Sequence, residues 1–102
     1  MNITIDGATV VLSGDFDVRS TWEVRNALYE HLASHQHDVV VDLTQVTSID
    51  VTALRVLAVA TRRARRSGRH LTLRGCCPAV RRLLHISRLA GAVEVERSPA
   101  TA

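Results

Sequence analysis

The feature that most constrains the fold of this chain is the alternation of short β-branched apolar runs with longer stretches of helical periodicity. Two apolar runs on either side of a glycine predict an opening β-hairpin. Two later apolar runs and one apolar-charged alternation predict three more strands. The predicted strands lie within residues 3–5, 9–13, 38–43, 70–73 and 93–96.

Helix start and stop signals stand between these runs. Ser20 and Glu23 form a capping-box pattern, Gly68 follows the end of a periodic stretch, and Pro78 suits a first helical turn. The predicted helices span residues 21–33, 51–67 and 79–86.

The order ββαβαβαβ predicts an α/β fold, with a mixed β-sheet and helices packed on it. A chain of 102 residues can bury one core without disulfide or metal support. We therefore predict a single domain over residues 1–97, followed by a flexible tail at residues 98–102, where the composition becomes small and polar.

Hydropathy and cysteine usage exclude several classes of protein. No apolar run approaches the about 20 residues that cross a bilayer, and no basic segment leads into an apolar one at the start. We therefore expect a soluble, cytoplasmic protein without membrane insertion. Cys76 and Cys77 are adjacent and could bridge only through a strained ring, so we expect two reduced thiols. Redox sensing by these thiols is the alternative to plain packing.

The second predicted helix has more apolar surface than one core stripe requires. On a helical wheel its core side consists of Leu54, Leu57, Thr61 and Ala64. A second apolar set lies away from that stripe: Val51, Val56, Ala58 and Val59. Either another helix of the domain covers this side or a partner protein binds there.

The same helix ends in an arginine group, consisting of Arg62, Arg63, Arg65, Arg66 and Arg69. It is interpreted as a solvated helix end whose cations suit the helix dipole, with duplex nucleic acid as the alternative partner. Single-strand binding is disfavoured because aromatic residues lie far from the arginines in sequence. Two of them, Trp22 and Tyr29, fall opposite the core side of the first helix, where the tail, a strand edge or a partner could cover them.

Other reactive side chains do not complete a recognisable site. His31, His35 and His37 have metal-like spacing, but only Asp38 stands near as a further ligand, so we predict a solvated helix end with no metal or cofactor. No nucleophile-base pair can be assembled, and we therefore predict a protein without enzymatic activity.

The chain resembles the STAS domain of anti-sigma factor antagonists in three motifs, which occur in the same order as in that family. Asp42-Leu43 and the segment Asp-Val-Thr-Ala-Leu at residues 50–54 resemble its strand end and helix start. Gly-Asp-Phe-Asp at residues 14–17 is similar to its early loop, and residues 78–89 resemble its third-helix signature. The resemblance spans residues 3–95.

The resemblance implies partner switching in bacterial transcription regulation. An unphosphorylated antagonist would bind an anti-sigma factor of the histidine-kinase-like serine kinase type and release a sigma factor. Phosphorylation at the helix start would break the complex without unfolding the domain, since a helix amino terminus tolerates a phosphate. The implied partner-binding residues are Asp17, Asp50, Val51, Thr52, Ala53, Leu54 and Arg55.

The sequence departs from the family pattern at the helix start. The usual phosphoacceptor serine corresponds to Val51, and the usual glycine to Ala53. Thr52 is therefore the phosphoacceptor candidate, with a first-turn threonine bonded to the backbone as the alternative, and Ser48 as a weaker candidate. Phosphoregulation would then be atypical or absent.

Three further alternatives remain open from the sequence. Asp17 and Asp50 could be helix caps rather than contact residues. The chain could be a STAS accessory subunit of a lipid-transport ATPase, in which the helix-start threonine is structural. It could also be an arginine-driven nucleic-acid binder, recognised by duplex binding that falls steeply with salt.

Overall fold

The structure, a computed structural model, describes residues 1–96. This part of the chain forms five strands and three α-helices in the predicted order ββαβαβαβ, with a short 3-10 helix before the last strand. The strands are β1 (Asn2–Asp6), β2 (Thr9–Phe16), β3 (Val39–Ile49), β4 (Leu71–Arg74) and β5 (Glu94–Val95). The helices are α1 (Thr21–Ser34), α2 (Val51–Arg66) and α3 (Pro78–Ile86). The tail predicted at residues 98–102 and the predicted domain end at residue 97 lie outside the described residues.

The five strands form one mixed sheet in the order β1-β2-β3-β4-β5. β1 is antiparallel to β2, while β2, β3, β4 and β5 run parallel to their neighbours. Each parallel connection contains a helix, and right-handed crossovers between successive neighbours place all three helices on one face. In β4, Leu71 and Leu73 are fully buried and Thr72 between them is half-buried, as expected for a sheet with helices on one face.

β3 is longer than the sequence predicted. Residues 44–49 lie between the predicted strand and the predicted helix, but they continue the strand and pair with the second half of β2, where Phe16 lies opposite Ile49. The pairing includes register shifts in β2 before Ser13 and before Asp15. As a consequence, α2 begins only one residue after the strand ends.

The core lies between the sheet and the helices. All four residues predicted for the core side of α2 are fully buried: Leu54, Leu57, Thr61 and Ala64. The Thr61 hydroxyl donates to the backbone oxygen of Leu57 at 2.8 Å, which satisfies this buried polar group. Of the second apolar set, Val59 remains 51% exposed and the others are half-buried.

The start of α1 differs from the predicted capping box. Ser20 occupies the N-cap position, but its side chain makes no cap hydrogen bond. Its hydroxyl donates instead to the backbone oxygen of Asp15 at 3.0 Å. The box was therefore wrong, because a contact with the preceding strand takes the serine hydroxyl away from the helix.

The aromatic pair on α1 is covered unequally. Tyr29 is half-buried, and the Arg63 guanidinium of α2 lies 4.2 Å from its ring centroid. Trp22 is 67% exposed. The tail that was considered as a cover for this pair lies outside the described residues.

The cysteines are both free thiols, as predicted; Cys76 is buried and Cys77 is exposed. Burial raises the pKa of the Cys76 thiol, which disfavours the reactive thiolate form. Within residues 1–96, no helix combines the length and the apolar character that crossing a bilayer requires.

Candidate functional site

The segment with the family motifs lies at the carboxyl ends of β2 and β3. The two strands end side by side at Phe16 and Ile49, and α1 and α2 both begin a few residues later. Loops and helix starts therefore meet at this edge of the sheet, which is the usual place for ligand and partner sites in parallel α/β domains.

Asp50 connects the two loops of this edge. One carboxylate oxygen accepts from the Ala53 backbone N–H at 2.8 Å and caps α2, and the other accepts from the Val18 backbone N–H at 3.2 Å. The Asp50 backbone N–H donates to the Phe16 oxygen at 3.3 Å. The cap considered for Asp50 is therefore confirmed, and it fixes the start of α2 against the loop that follows β2.

Asp17 has a different role from Asp50. It pairs with Arg19, whose guanidinium approaches the two carboxylate oxygens at 2.7 and 3.1 Å, and it also accepts from the Arg19 backbone N–H at 3.0 Å. These bonds from Arg19 lower the pKa of Asp17. Asp17 is thus a local ionised turn residue rather than a helix cap, since Ser20 holds the N-cap position of α1.

Asp15 is a member of the site that reasoning from the sequence missed. One of its carboxylate oxygens accepts from the hydroxyls of Ser48 and Thr47, at 2.7 and 2.8 Å. These two bonds, with that from Ser48 the larger cause, lower the pKa of Asp15. The available signal was the Gly-Asp-Phe-Asp loop, but the partners of Asp15 are 32 and 33 residues away. The Ser48 hydroxyl, the weaker phosphoacceptor candidate, is therefore already engaged.

The first turn of α2 presents part of the predicted surface. Thr52 and Arg55 are exposed, and Val51 is half-buried. Among the described residues, the Thr52 hydroxyl has no hydrogen-bond partner. The backbone bond considered as the alternative for Thr52 is thus not present in this conformation.

Two of the predicted contact residues require correction. Ala53 and Leu54 have no exposed area, because both side chains point from α2 into the core. Buried side chains cannot touch a partner, and the helical wheel had already placed Leu54 on the core side. The accessible part of the predicted surface consists of Asp17, Asp50, Val51, Thr52 and Arg55.

The arginine group is largely used within the molecule. Arg63 lies over Tyr29, the Arg65 guanidinium is 3.6 Å from a carboxylate oxygen of Glu94, and Arg69 donates to the backbone oxygen of His35. Phosphate binding would have to compete with these contacts.

A groove of about 690 Å³ follows the outer side of α2. Its lining includes the apolar residues Ala58, Val59 and Leu89 and the charged residues Arg55 and Arg62. The second apolar set of α2 is thus covered only in part by the rest of the described domain.

The three histidines lie together at the opposite edge of the sheet, where α1 ends and β3 begins. His35 and His37 are exposed, as expected for a solvated helix end, but His31 is only 5% exposed. The solvated helix end therefore consists of His35 and His37, whereas His31 lies on the buried face of α1, where helical periodicity also places it. Burial, and then the neighbouring rings of His35 and His37, lower the pKa of His31.

A mixed sheet with its helices on one face, and a capped helix start beside the ends of two parallel strands, defines a small α/β domain of the STAS type. A family model described as "Mlab, STAS domain" matches residues 1–95. The chain belongs to the STAS-domain family, as its motifs indicated.

Relatives and solved structures agree with this assignment. A STAS-domain containing protein of Pseudomonas aeruginosa is 34% identical over 79 residues, which cover 78% of this chain and 77% of that protein. An anti-sigma factor antagonist from Mycobacterium paratuberculosis has a TM-score of 0.75 at 19% identity, covering 95% of this chain and 84% of that one. The phosphorylated form of the Bacillus protein SpoIIAA has a TM-score of 0.66 at 15% identity, covering 95% and 91%. The structural likenesses confirm the predicted fold.

Proposed function

We propose that this chain is a non-enzymatic anti-sigma factor antagonist of the cytoplasm, which binds a kinase-type anti-sigma factor and thereby releases a sigma factor. The observation that carries the proposal is the helix start of α2, which the Asp50 carboxylate fixes in place while the Thr52 hydroxyl is exposed and unbonded. A rigid surface reduces the entropy lost on binding.

The contact surface of the proposal is the accessible part of the predicted set, to which we add the neighbouring Val18. Val51 and the exposed Val18, which is 63% exposed, supply apolar area beside the charges of Asp17 and Arg55. In such interfaces apolar burial supplies most of the affinity, and charges supply orientation and speed of association.

Phosphoregulation at Thr52 is the finer part of the proposal. A phosphate adds about −1.5 to −2 charges, which the amino end of α2 tolerates and an apolar interface does not. Val51 has no hydroxyl at the usual acceptor position, and the Ser48 hydroxyl is bonded to Asp15. The structure of SpoIIAA, which has the same fold, has been solved in phosphorylated form. This supports the proposal that a domain of this fold can carry a phosphate.

The first test is a pull-down with unmodified protein from an extract of its own cells, with mass spectrometry of the partners and of phosphate on the bait. We expect a histidine-kinase-like anti-sigma factor and, if the switch operates, phosphate on Thr52. The same partner without phosphate would indicate a constitutive antagonist.

The second test measures affinity for the recovered partner by calorimetry. Thr52→Glu places a negative charge in the interface, and we expect it to weaken binding at least about tenfold. Thr4→Glu on β1 is the matched control, because Thr4 is exposed away from the helix start, and it should leave affinity unchanged. Equal affinity for Thr52→Glu and the parent protein would contradict the proposed surface.

A second candidate function is the accessory subunit of a lipid-transport ATPase. The favouring observations are Val51 at the usual acceptor position and the description of the matching family model, which is Mlab rather than an antagonist. Recovery of a transporter ATPase in the same pull-down, in place of an anti-sigma factor, would select this function and reject sigma regulation.

A further inference from the structure

Three imidazole rings converge on one small volume at the end of α1. His31 lies in the last turn of the helix, His35 directly after it, and His37 in the loop before β3. The ring centroids are 4.4, 4.9 and 5.7 Å apart. One possible ligand atom from each residue lies within 4.8 Å of the other two. We call these three residues the histidine cluster.

The two exposed rings of the cluster are oriented by backbone carbonyls. Nδ1 of His35 lies 3.1 Å from the oxygen of His31, and Nδ1 of His37 lies 2.9 Å from the oxygen of Asp38. A carbonyl oxygen only accepts, so each Nδ1 donates a proton and each Nε2 keeps its lone pair free. Metal-binding histidines have this arrangement, in which the second ring nitrogen donates to a carbonyl or carboxylate.

The buried member of the cluster supplies an independent observation. His31 is 5% exposed, and its Nε2 atom is buried without a hydrogen-bond partner in the described part of the chain. Buried polar atoms are seldom left unpaired, because the loss of water is then uncompensated. His31 and His35 also line a surface cavity of about 270 Å³ beside β1, through which an ion could approach.

From this geometry we infer that the histidine cluster binds a divalent first-row transition-metal ion, with Zn²⁺ as the representative. Three imidazoles with a water at the fourth position make a tetrahedral zinc site, and neither a cysteine nor an acidic ligand is required. Imidazole ligands favour zinc, copper and nickel over magnesium and calcium. The inference reverses the expectation of no metal that followed from the sequence.

The rings must move closer together to hold the ion. Nitrogens at about 2.0–2.1 Å from one tetrahedral zinc ion are about 3.4 Å apart, so the exposed rings of His35 and His37 must turn inward from the present separations of up to 4.8 Å. The carboxyl end of α1 contributes partial negative charge, which offsets the positive guanidinium that Arg69 places on the backbone oxygen of His35. The bound ion would tie the end of α1 to the loop before β3.

The test is calorimetric titration with Zn²⁺, carried out in a Cys77→Ser background so that the exposed thiol does not bind the ion. We expect one saturable site, weakened at least about tenfold by His35→Gln and by His37→Gln, since loss of even an outer-shell partner typically costs that much. His85→Gln on α3 is the matched control, because His85 is exposed and outside the cluster.

Circular dichroism and thermal unfolding distinguish loss of the zinc site from misfolding of a variant. Both substituted residues of the cluster are exposed, so the circular dichroism spectra of the two variants should match the spectrum of the parent. At one Zn²⁺ concentration that saturates the parent, the Tm of the parent and of His85→Gln should rise, and the Tm of the two cluster variants should rise less. Absence of a saturable site, or a site that either cluster variant leaves at full affinity, would overturn the inference.

Discussion

At the scale of single residues, two carboxylates with similar sequence surroundings perform different tasks. Asp50 bonds two backbone N–H groups from separate segments of the chain and so joins α2 to the loop after β2. Within residues 1–96, the Asp17 side chain bonds only to its near neighbour Arg19. A side chain that joins distant segments contributes more to fold stability than an exposed local ion pair, whose two charges remain largely hydrated.

A glycine after β4 is required for a second reason besides its backbone angle. Gly75 has φ of 75°, and a Cβ at this position would lie 2.9 Å from the backbone nitrogen of Thr44. Gly68, with φ of 73°, has open space around the same position. The two glycines therefore share the left-handed conformation and differ in steric contact.

We expect Gly75→Ala to lower the free energy of unfolding by at least about 2 kcal/mol, since it combines left-handed strain with overpacking. Gly68→Ala should lower it by about 1 kcal/mol through strain alone. Urea unfolding of the two variants measures the difference. Equal losses would show that β3 moves away from the added methyl group at little cost.

At the scale of elements, side-chain contacts as well as backbone pairing hold the short edge strand β5 in the sheet. It has only two residues, and Glu94 on it contacts both Arg65 of α2 and His70 before β4. Just beyond it, Glu96 pairs with Arg74 of β4 at 3.0 Å. A strand this short depends on such contacts to keep its place in the sheet.

The contact between His70 and Glu94 predicts a pH dependence of stability. The carboxylate lies 3.1 Å from Nδ1 of His70 and raises the pKa of that imidazole. Because the folded pKa is above the unfolded value of about 6.5, this stabilisation is complete below that pH and is lost as pH rises through the folded pKa.

The corresponding experiment is urea unfolding of the parent and of His70→Gln at a pH below the unfolded pKa and at one well above the folded pKa. We expect the variant to be less stable than the parent at the lower pH and similar at the higher pH. The difference between variant and parent at one pH cancels the contribution of His31 to the pH dependence, because both proteins contain this buried residue with its lowered pKa. His85→Gln should follow the parent at both values, and a His70→Gln deficit that does not depend on pH would contradict the assignment.

Element order and most boundaries could be predicted, because they depend on local signals such as Gly68 after α2 and Pro78 at the start of α3. The second half of β3 could not, since residues 44–49 become a strand only by pairing with β2 through an irregular register. The same holds for the site: the motifs located the start of α2, but the bonds of Asp15 and Asp50 to distant segments depend on the folded sheet.

At the scale of the whole molecule, the two proposed sites lie at opposite edges of one sheet. The start of α2 follows the carboxyl end of β3, and the histidine cluster precedes its amino end. A single core extends between them, and the radius of gyration of 12.5 Å agrees with one compact domain. Each site can thus be altered by exposed substitutions without disturbing the other.

Because α2 packs on a single core, side-chain truncations should destabilise the domain only on the side of the helix that faces this core. Leu57→Ala should lower the free energy of unfolding by about 2–5 kcal/mol, because Leu57 is fully buried between helices and sheet. Val59→Ala on the groove side of the same helix should change it by no more than about 0.5 kcal/mol. Thermal unfolding monitored by circular dichroism measures both, and equal effects would refute the assignment of the two sides.

The exposure of Trp22 has a practical consequence for work on this protein. It is the one tryptophan of the chain, stands 67% exposed in the first turn of α1, and belongs to the same sheet edge as the start of α2. Its fluorescence in the free protein should already be close to that of a hydrated indole and should change little on unfolding. A blue shift of the Trp22 emission, together with protection from a soluble quencher, would instead report that another molecule binds at this edge of the sheet.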